Sequence, residues 1–266
     1  MNATSLMLAC LLAAGLLFSG CRKPSPFPIC DDECRITKVK GDLGSPMVLD
    51  SLLITYNSKG NPVSMVRSVI ATSAPNWLFR YDPKGRMTDF YGIYYDNSSF
   101  DTWHRYYYDA KNRIVLDSTY EFGAVSPDYK PIPSPGRPYL GVRNISTYQY
   151  DNHNRIVGST DTYGRDTVFV VRQYRYNSAG NLAEIVEQWG DEAPSSITFT
   201  YDNKINYHRL HPIWQFLDRD FSMNNSLPIA AYNRFGLPVS IVLAGHRHGF
   251  FATEFFTYAD FEYSCK

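Results

Sequence analysis

The chain has 266 residues, with 26 Lys and Arg against 26 Asp and Glu, and 44% of its residues are hydrophobic. Zero net charge leaves no long-range field to draw in a polyanion, which excludes a general nucleic-acid binder. The apolar content can fill one large core, and 21 tyrosines against 16 phenylalanines make that core tyrosine-rich.

Residues 1–20 carry an apolar run from Leu6 to Phe18 and no charged side chain. The run is too short for a permanent membrane helix and has the length of a signal-peptide apolar region. It ends Leu17-Phe18-Ser19-Gly20-Cys21, which resembles a bacterial lipobox with Phe18 in place of the usual aliphatic residue. Cys21 is therefore the expected lipidation site, and an ordinary cleaved signal peptide is the alternative. Several acyl chains give stable membrane anchoring, at about 0.8 kcal/mol per buried CH₂. Residues 21–35, with Pro24, Pro26 and Pro28, read as a semi-extended tether ahead of a single domain over 36–266. With Cys10 in the leader and Cys21 at its end, Cys30, Cys34 and Cys265 remain in an oxidising compartment. Two pairings stay open: Cys34–Cys265, which would tie the first strand to the last, and the local Cys30–Cys34. A CxxxC pair with no nearby histidine is a poor metal site, and no metal is expected.

From Tyr56 onward one short pattern organises the chain, clearest in Tyr81-Asp82-Pro83-Lys84-Gly85-Arg86. Asp82 suits the first position of a type I turn, Pro83 pre-sets φ at the second, and Gly85 can adopt positive φ to reverse the chain. Hairpin loops of this length are commonly built on such a turn. Copies begin at Tyr56, Tyr81, Tyr108, Tyr150, Tyr176, Tyr201 and Tyr232. The positive-φ position holds Gly60, Gly85, Asn112, Asn154, Gly180, Ile205 and Gly236, so Ile205 alone breaks the rule that Gly or Asn belongs there. Two residues before each tyrosine stand Ile54, Phe79, Tyr106, Tyr148, Tyr174, Phe199 and Ala230, on the same strand face. The intervening residues are mostly polar, as in an antiparallel sheet with one face packed and one wet. The expected fold is all-β: an antiparallel meander of about fourteen strands from seven hairpin repeats, curled into an open or closed barrel-like shell.

Two spacings are long. Residues 121–142 contain Pro127, Pro131, Pro133, Pro135 and Pro138, which no interior strand tolerates, and read as a projecting loop. After Tyr201 the pattern degrades into His208–Phe221, where Pro212 followed by Ile213, Trp214, Phe216 and Leu217 predicts one short helical insert. Its apolar side is expected to plug the aromatic face of the sheet. Residues 255–263 alternate again and read as the closing strand.

The unit Tyr-Asp/Asn-x-x-Gly/Asn-Arg/Asn-aliphatic resembles the YD repeat of RHS-type proteins. The whole mature chain is more similar to uncharacterised Bacteroides-type lipoproteins with a porin-like β fold, which share the lipobox, the hairpin repeats and a late Tyr-Asp-Asn-Lys segment, here Tyr201-Asp202-Asn203-Lys204. That resemblance implies a Gram-negative outer-membrane address and carries no catalytic residues. Asp50-Ser51-Leu52, Asp117-Ser118-Thr119 and Asp166-Thr167-Val168 resemble the short O-glycosylation signal of exported Bacteroides proteins.

Little else in the sequence carries chemistry. His208 and His211 form HxxH, and His246 and His248 form HxH, without patterned carboxylate or cysteine ligands. Tyr91, Tyr95, Trp103 and Tyr107 fall on the face opposite Tyr106 and Tyr108. They are candidate ligand-binding aromatics for flat ligands such as sugar rings, with cross-strand packing as the competing role. No cofactor is expected. The leading functional expectation is a non-enzymatic, lipid-anchored cell-envelope module binding a glycan or an envelope protein. The alternatives are an integral outer-membrane β-barrel and a hydrolase lacking a recognisable motif.

Overall fold

A computed structural model describes residues 34–42, 48–71, 74–94, 99–126, 131–132, 144–164, 168–244 and 250–266. The leader with Cys21, the tether as far as residue 33 with Cys30, Tyr95, most of the Pro-rich loop, Asp166-Thr167 and the His246/His248 pair lie outside the described residues.

Among the described residues there are sixteen strands. They are β1 (Cys34–Asp42), β2 (Leu49–Tyr56), β3 (Pro62–Arg67), β4 (Asn76–Tyr81), β5 (Met87–Ile93), β6 (Ser99–Tyr108), β7 (Ile114–Val125) and β8 (Pro131–Ile132). The second half comprises β9 (Asn144–Tyr150), β10 (Ile156–Tyr163), β11 (Val168–Tyr176), β12 (Leu182–Trp189), β13 (Ser195–Thr198), β14 (Ile229–Tyr232), β15 (Pro238–Val242) and β16 (Tyr258–Cys265). All pairings are antiparallel, and β8 pairs only with β7, off the main path. The path runs from β13 back through β1, crosses to β16 and ends at β14, so the hydrogen-bonded sheet is not closed. Cys34 and Arg35, expected in the tether, already sit in β1 opposite Cys265 and Ser264.

The turns follow from residue chemistry. Gly60, Gly85, Asn112, Asn154, Gly180 and Gly236 all have positive φ, between 59° and 84°. In the Asp82 turn, Gly85 N–H donates to the Asp82 carbonyl at 2.9 Å, and the carboxylate accepts from Arg86 N–H at 2.9 Å. The same carboxylate holds Arg86 Nε at 2.7 Å, and that guanidinium lies 4.9 Å over the Tyr108 ring of the next copy. Arg113 over Tyr150 and Arg155 over Tyr176 repeat the arrangement at 4.9 and 4.1 Å. Each cation is thus shared between its own turn and its neighbour.

The repeated tyrosines form a ladder along this rim of the sheet. Five of the seven hydroxyls donate to a backbone carbonyl near the start of the neighbouring strand: Tyr56 to Ile36, Tyr81 to Pro62, Tyr108 to Met87, Tyr150 to Ile114 and Tyr201 to Leu182, all at 2.6–2.7 Å. Tyr263, which no turn follows, belongs to the same ladder and donates to Pro238 at 2.5 Å. Tyr176 is an exception, its buried hydroxyl turned toward the insert near Phe221 and not to a strand carbonyl.

One expected hairpin does not form. Ile205 cannot enter the left-handed region cheaply, and the Tyr201 copy opens into an insert between β13 and β14. Asp202 N–H donates to Asn225 O and Asn206 N–H to Met223 O, each at 3.1 Å, so the two stems of the insert pair with each other. The Tyr232 hydroxyl reaches the Asp202 carboxylate, carrying the tyrosine ladder across a seam that the backbone leaves open.

The insert contains a 3-10 turn at Tyr207–Leu210 and α1 (Pro212–Leu217), with Pro212 in the first turn. Fifteen strands laid flat would span roughly 70 Å at the usual interstrand spacing. Yet Trp214 meets Phe79 of β4, Phe216 meets Tyr106 of β6 and Tyr148 of β9, and Tyr207 meets Phe261 of β16, with ring centroids 5.1–5.8 Å apart. A six-residue helix and one turn reach strands that far apart only because the sheet curls around them. The main core is this wrapped interior, with Trp214, Ile36, Leu52, Met65 and Phe79 at most 1% exposed.

Candidate ligand site at the seam of the sheet

The sequence places Asn61 and Asn181 where other copies carry arginine after the turn, and both hold the insert. Asn61 Oδ1 lies 3.2 Å from His211 Nε2. Asn181 accepts from the backbone N–H of Met223 and Asn224 at 2.8 and 2.9 Å and donates to Asn224 Oδ1. The arginine-to-asparagine exchange is a legible signal of where the insert docks.

His208 and His211 are spaced for a shared ligand, but the structure separates them. His211 caps α1: its Nδ1 accepts from Ile213 N–H at 3.2 Å, which leaves Nε2 to donate to Asn61. A second proton would set two donors against each other. Burial and the charge of Arg35 accordingly push His211 down to about 4. His208 is buried between two carboxylates, with Nε2 2.8 Å from Asp218 Oδ2 and Nδ1 3.4 Å from Asp220 Oδ2. Neither approach has hydrogen-bond alignment, so the contacts are ion pairs. Burial pulls His208 down, but Asp218 and Asp220 outweigh it and hold the imidazole at about 9. Asp220 is further fixed by Asn206 Nδ2 at 3.1 Å and Ser222 N–H at 2.9 Å. Among the described residues no cluster of His, Cys, Asp or Glu has metal-binding geometry.

These opposed shifts set a pH profile. His208 binds its proton more tightly folded than unfolded, so its contribution is complete below about pH 6.5 and is lost as pH rises through about 9. His211 binds its proton less tightly folded, so its contribution is complete above about pH 6.5 and is lost as pH falls through about 4. Each limb is worth up to about 3 kcal/mol. Urea midpoints measured from pH 4 to 10 should fall on both sides of neutrality. His208→Gln should flatten the alkaline limb and His211→Asn should remove part of the acid one; an unchanged limb in either variant contradicts the assignment.

Beside His208 a cavity of about 640 Å³ opens between the insert, the β12 side of the seam and the segment around the 3-10 turn Phe251–Thr253. Its walls combine Phe199, Tyr201, Tyr207, Phe250 and Phe256 with Asn206, Asp218, Asp220 and Glu254. Tyr207 is 2% exposed and its hydroxyl has no partner among the described residues. Burial, with Asp218 and Asp220 nearby, raises that phenol well above its ordinary value.

On the far side of the insert, Arg219 reaches the opposite wall. Its guanidinium forms a fork on Asp161, Nη2 to Oδ1 at 2.7 Å and Nη1 to Oδ2 at 2.8 Å, and lies 5.0 Å over Tyr148. Arg172 also pairs with Asp161, and its Nε meets Glu187 at 2.6 Å. Arg219 ends α1 at φ 51°, where glycine is the usual residue, so no helix-stop signal marked it in the sequence. A second buried pair, Arg67 with Asp50, fixes the segment after residue 250 through Arg67 Nη2 to Ala252 O at 2.6 Å.

The three described candidate aromatics do not assemble into a platform. Tyr91 is opposite Trp103 across β5 and β6, and the two are 0% and 8% exposed, in a second cluster with Ile93, Phe100 and Val125. Trp103 stacks on Tyr120 at 4.7 Å and donates Nε1 to Asp89 at 2.9 Å. A ring packed on its cross-strand neighbours has no face for a ligand. Tyr107 alone is open, and Tyr95 is not described. Asp117, Ser118 and Thr119 are buried within β7, so that glycosylation-like triplet is not presented in the folded chain; in the first triplet Asp50 is committed to Arg67 and Ser51 is half-buried. Cys34 and Cys265 are bonded to each other.

No family model and no curated protein matches the chain. Among solved structures it is similar to a porin-like protein from Bacteroides vulgatus ATCC 8482, at 13% identity and a TM-score of 0.47 over 85% of this chain and 97% of that one. A porin-like protein from Bacteroides uniformis ATCC 8492 aligns at 10% identity and a TM-score of 0.41, over 77% and 88% of the two chains. The TcdB2-TccC3 structure aligns at 15% identity and a TM-score of 0.32 over 72% of this chain, which spans 10% of that chain's length. None of these similarities assigns an activity or a residue role.

Proposed function

We propose that this chain is a non-enzymatic, lipid-anchored protein of the cell envelope that holds a small ligand, such as a glycan unit, in the seam cavity. The carrying observation is the cavity itself: about 640 Å³, with aromatic walls and a few convergent polar groups, within the size range of small-molecule sites. A hydrolase gains no support from His208, the histidine in the wall, which Asp218 and Asp220 hold protonated at neutral pH. An integral barrel is disfavoured by the outer face. There Thr55 bonds Ser64, Arg175 pairs with Glu184 and Lys40 pairs with Glu262, where a lipid-facing band needs apolar side chains. The anchor rests on the lipobox-like run ending in Cys21.

Two measurements test this reading. Palmitate fed to cells expressing the full chain should label it and fail to label Cys21→Ser; equal labelling removes the anchor. A thermal-shift screen of glycans and metabolites should yield compounds that raise the melting temperature by several degrees, as expected at about a hundredfold excess over Kd. Leu227→Trp, which fills the cavity, should abolish the shift. A shift that survives this change places the site elsewhere.

A further inference from the structure

We infer that the seam cavity takes a small organic cation with an apolar body, a primary amine or quaternary ammonium; this rests on the ligand-binding reading above and turns its ligand class from a neutral glycan to a cation. Three carboxylates, Asp218, Asp220 and Glu254, stand in the wall against one imidazole, His208, and among the described lining residues there is no lysine or arginine. Burial raises the Asp218 pKa while the His208 imidazole 2.8 Å away opposes that rise, and the wall still sets three carboxyl groups against one cation. The insert's own Arg219 does not balance them, because its guanidinium is turned to Asp161 on the opposite wall. A cleft lined by one sign of charge and backed by apolar walls focuses its field on a ligand of the other sign.

The apolar part of the wall suits the same ligand. Phe199, Tyr201 and Phe250 line the cavity together with the acids, and aromatic faces attract an ammonium through the ring quadrupole; Phe256 already carries the Arg67 guanidinium 5.8 Å over its ring. An anionic ligand would meet carboxylates it cannot pair with, and a neutral one would gain nothing from their field.

Isothermal titration of the full chain with benzyltrimethylammonium, benzyl alcohol and benzoate separates charge from shape. The cation should bind at least tenfold more tightly than the alcohol, and benzoate most weakly. The advantage should shrink at high salt and in Glu254→Gln, an exposed position whose change leaves the core intact. Leu227→Trp should abolish cation binding. If the alcohol matches the cation and both are lost in Leu227→Trp, the cation inference falls and the cavity reading stands. The cation inference falls in the same way if none of the three binds while a compound from the thermal screen still does. Cation binding unchanged in Leu227→Trp overturns both, as does a chain that binds nothing in either experiment.

Discussion

Asp161→Ala should destabilise the shell by about 3–5 kcal/mol, the range for a buried ion pair that loses one partner. Asp161 is 3% exposed and takes two guanidinium groups, Arg219 through a fork and Arg172 through one nitrogen. Burial alone would raise its pKa, yet those cations hold the carboxyl below the usual range, so it is charged in the fold at neutral pH. Removing it leaves Arg219, whose side chain is 23% exposed, with only hydroxyl partners, Ser159, Tyr148 and Tyr174. Arg172 would retain Glu187. At this chain length the loss corresponds to roughly 10 °C in Tm. The double variant Asp161→Leu with Arg219→Met removes both charges and should recover most of the loss, because a well-packed apolar pair often matches a buried ion pair. A single variant that melts like the parent would show that the fork does not hold the insert in place.

Reduction of the disulfide between Cys34 and Cys265 should cost about 5 kcal/mol, near the top of the observed range for crosslinks closing long loops. The two cysteines are opposite one another in β1 and β16, and 231 positions separate them in sequence. The crosslink also bears on assembly, since β16 joins β1 to β15 and β14, the strands on the far side of the seam. Denaturant midpoints with and without dithiothreitol, and for Cys34→Ser, should drop together. A midpoint insensitive to reductant would mean that the β1–β16 ladder alone sets the pairing. Cys34→Ser and Cys265→Ser should behave alike if Cys30 has no part in the bond.

The local code was legible because turn chemistry is local. Asx at the first position and Gly or Asn in the left-handed slot marked Gly60, Gly85, Asn112, Asn154, Gly180 and Gly236, and all have positive φ. Ile205 marked the copy that fails, and Pro212 marked the start of the helix. Alternation named the buried face, where Phe79, Tyr106, Tyr148 and Tyr174 are at most 7% exposed. These features depend on a residue and its near neighbours, and one sequence suffices to read them.

The site was not legible, because its members meet only after the sheet has curled. His208 and Asp218 come from two ends of the insert, Phe256 and Glu254 from a distant segment, and Leu182 from β12. Nothing in their spacing brings them to one wall. The aromatic stretch around Tyr91 misled for the same reason: face alternation placed Tyr91 and Trp103 on one side correctly, but burial depends on neighbours such as Tyr120 and Val125 that alternation does not supply. The sequence by itself determined the hairpin, the repeated strand face and the position of the insert, all fixed by short-range backbone preference. The tertiary structure alone decided which charges pair, which rings are covered and where a cavity remains, because Coulomb attraction and packing act between atoms near in space whatever their separation along the chain.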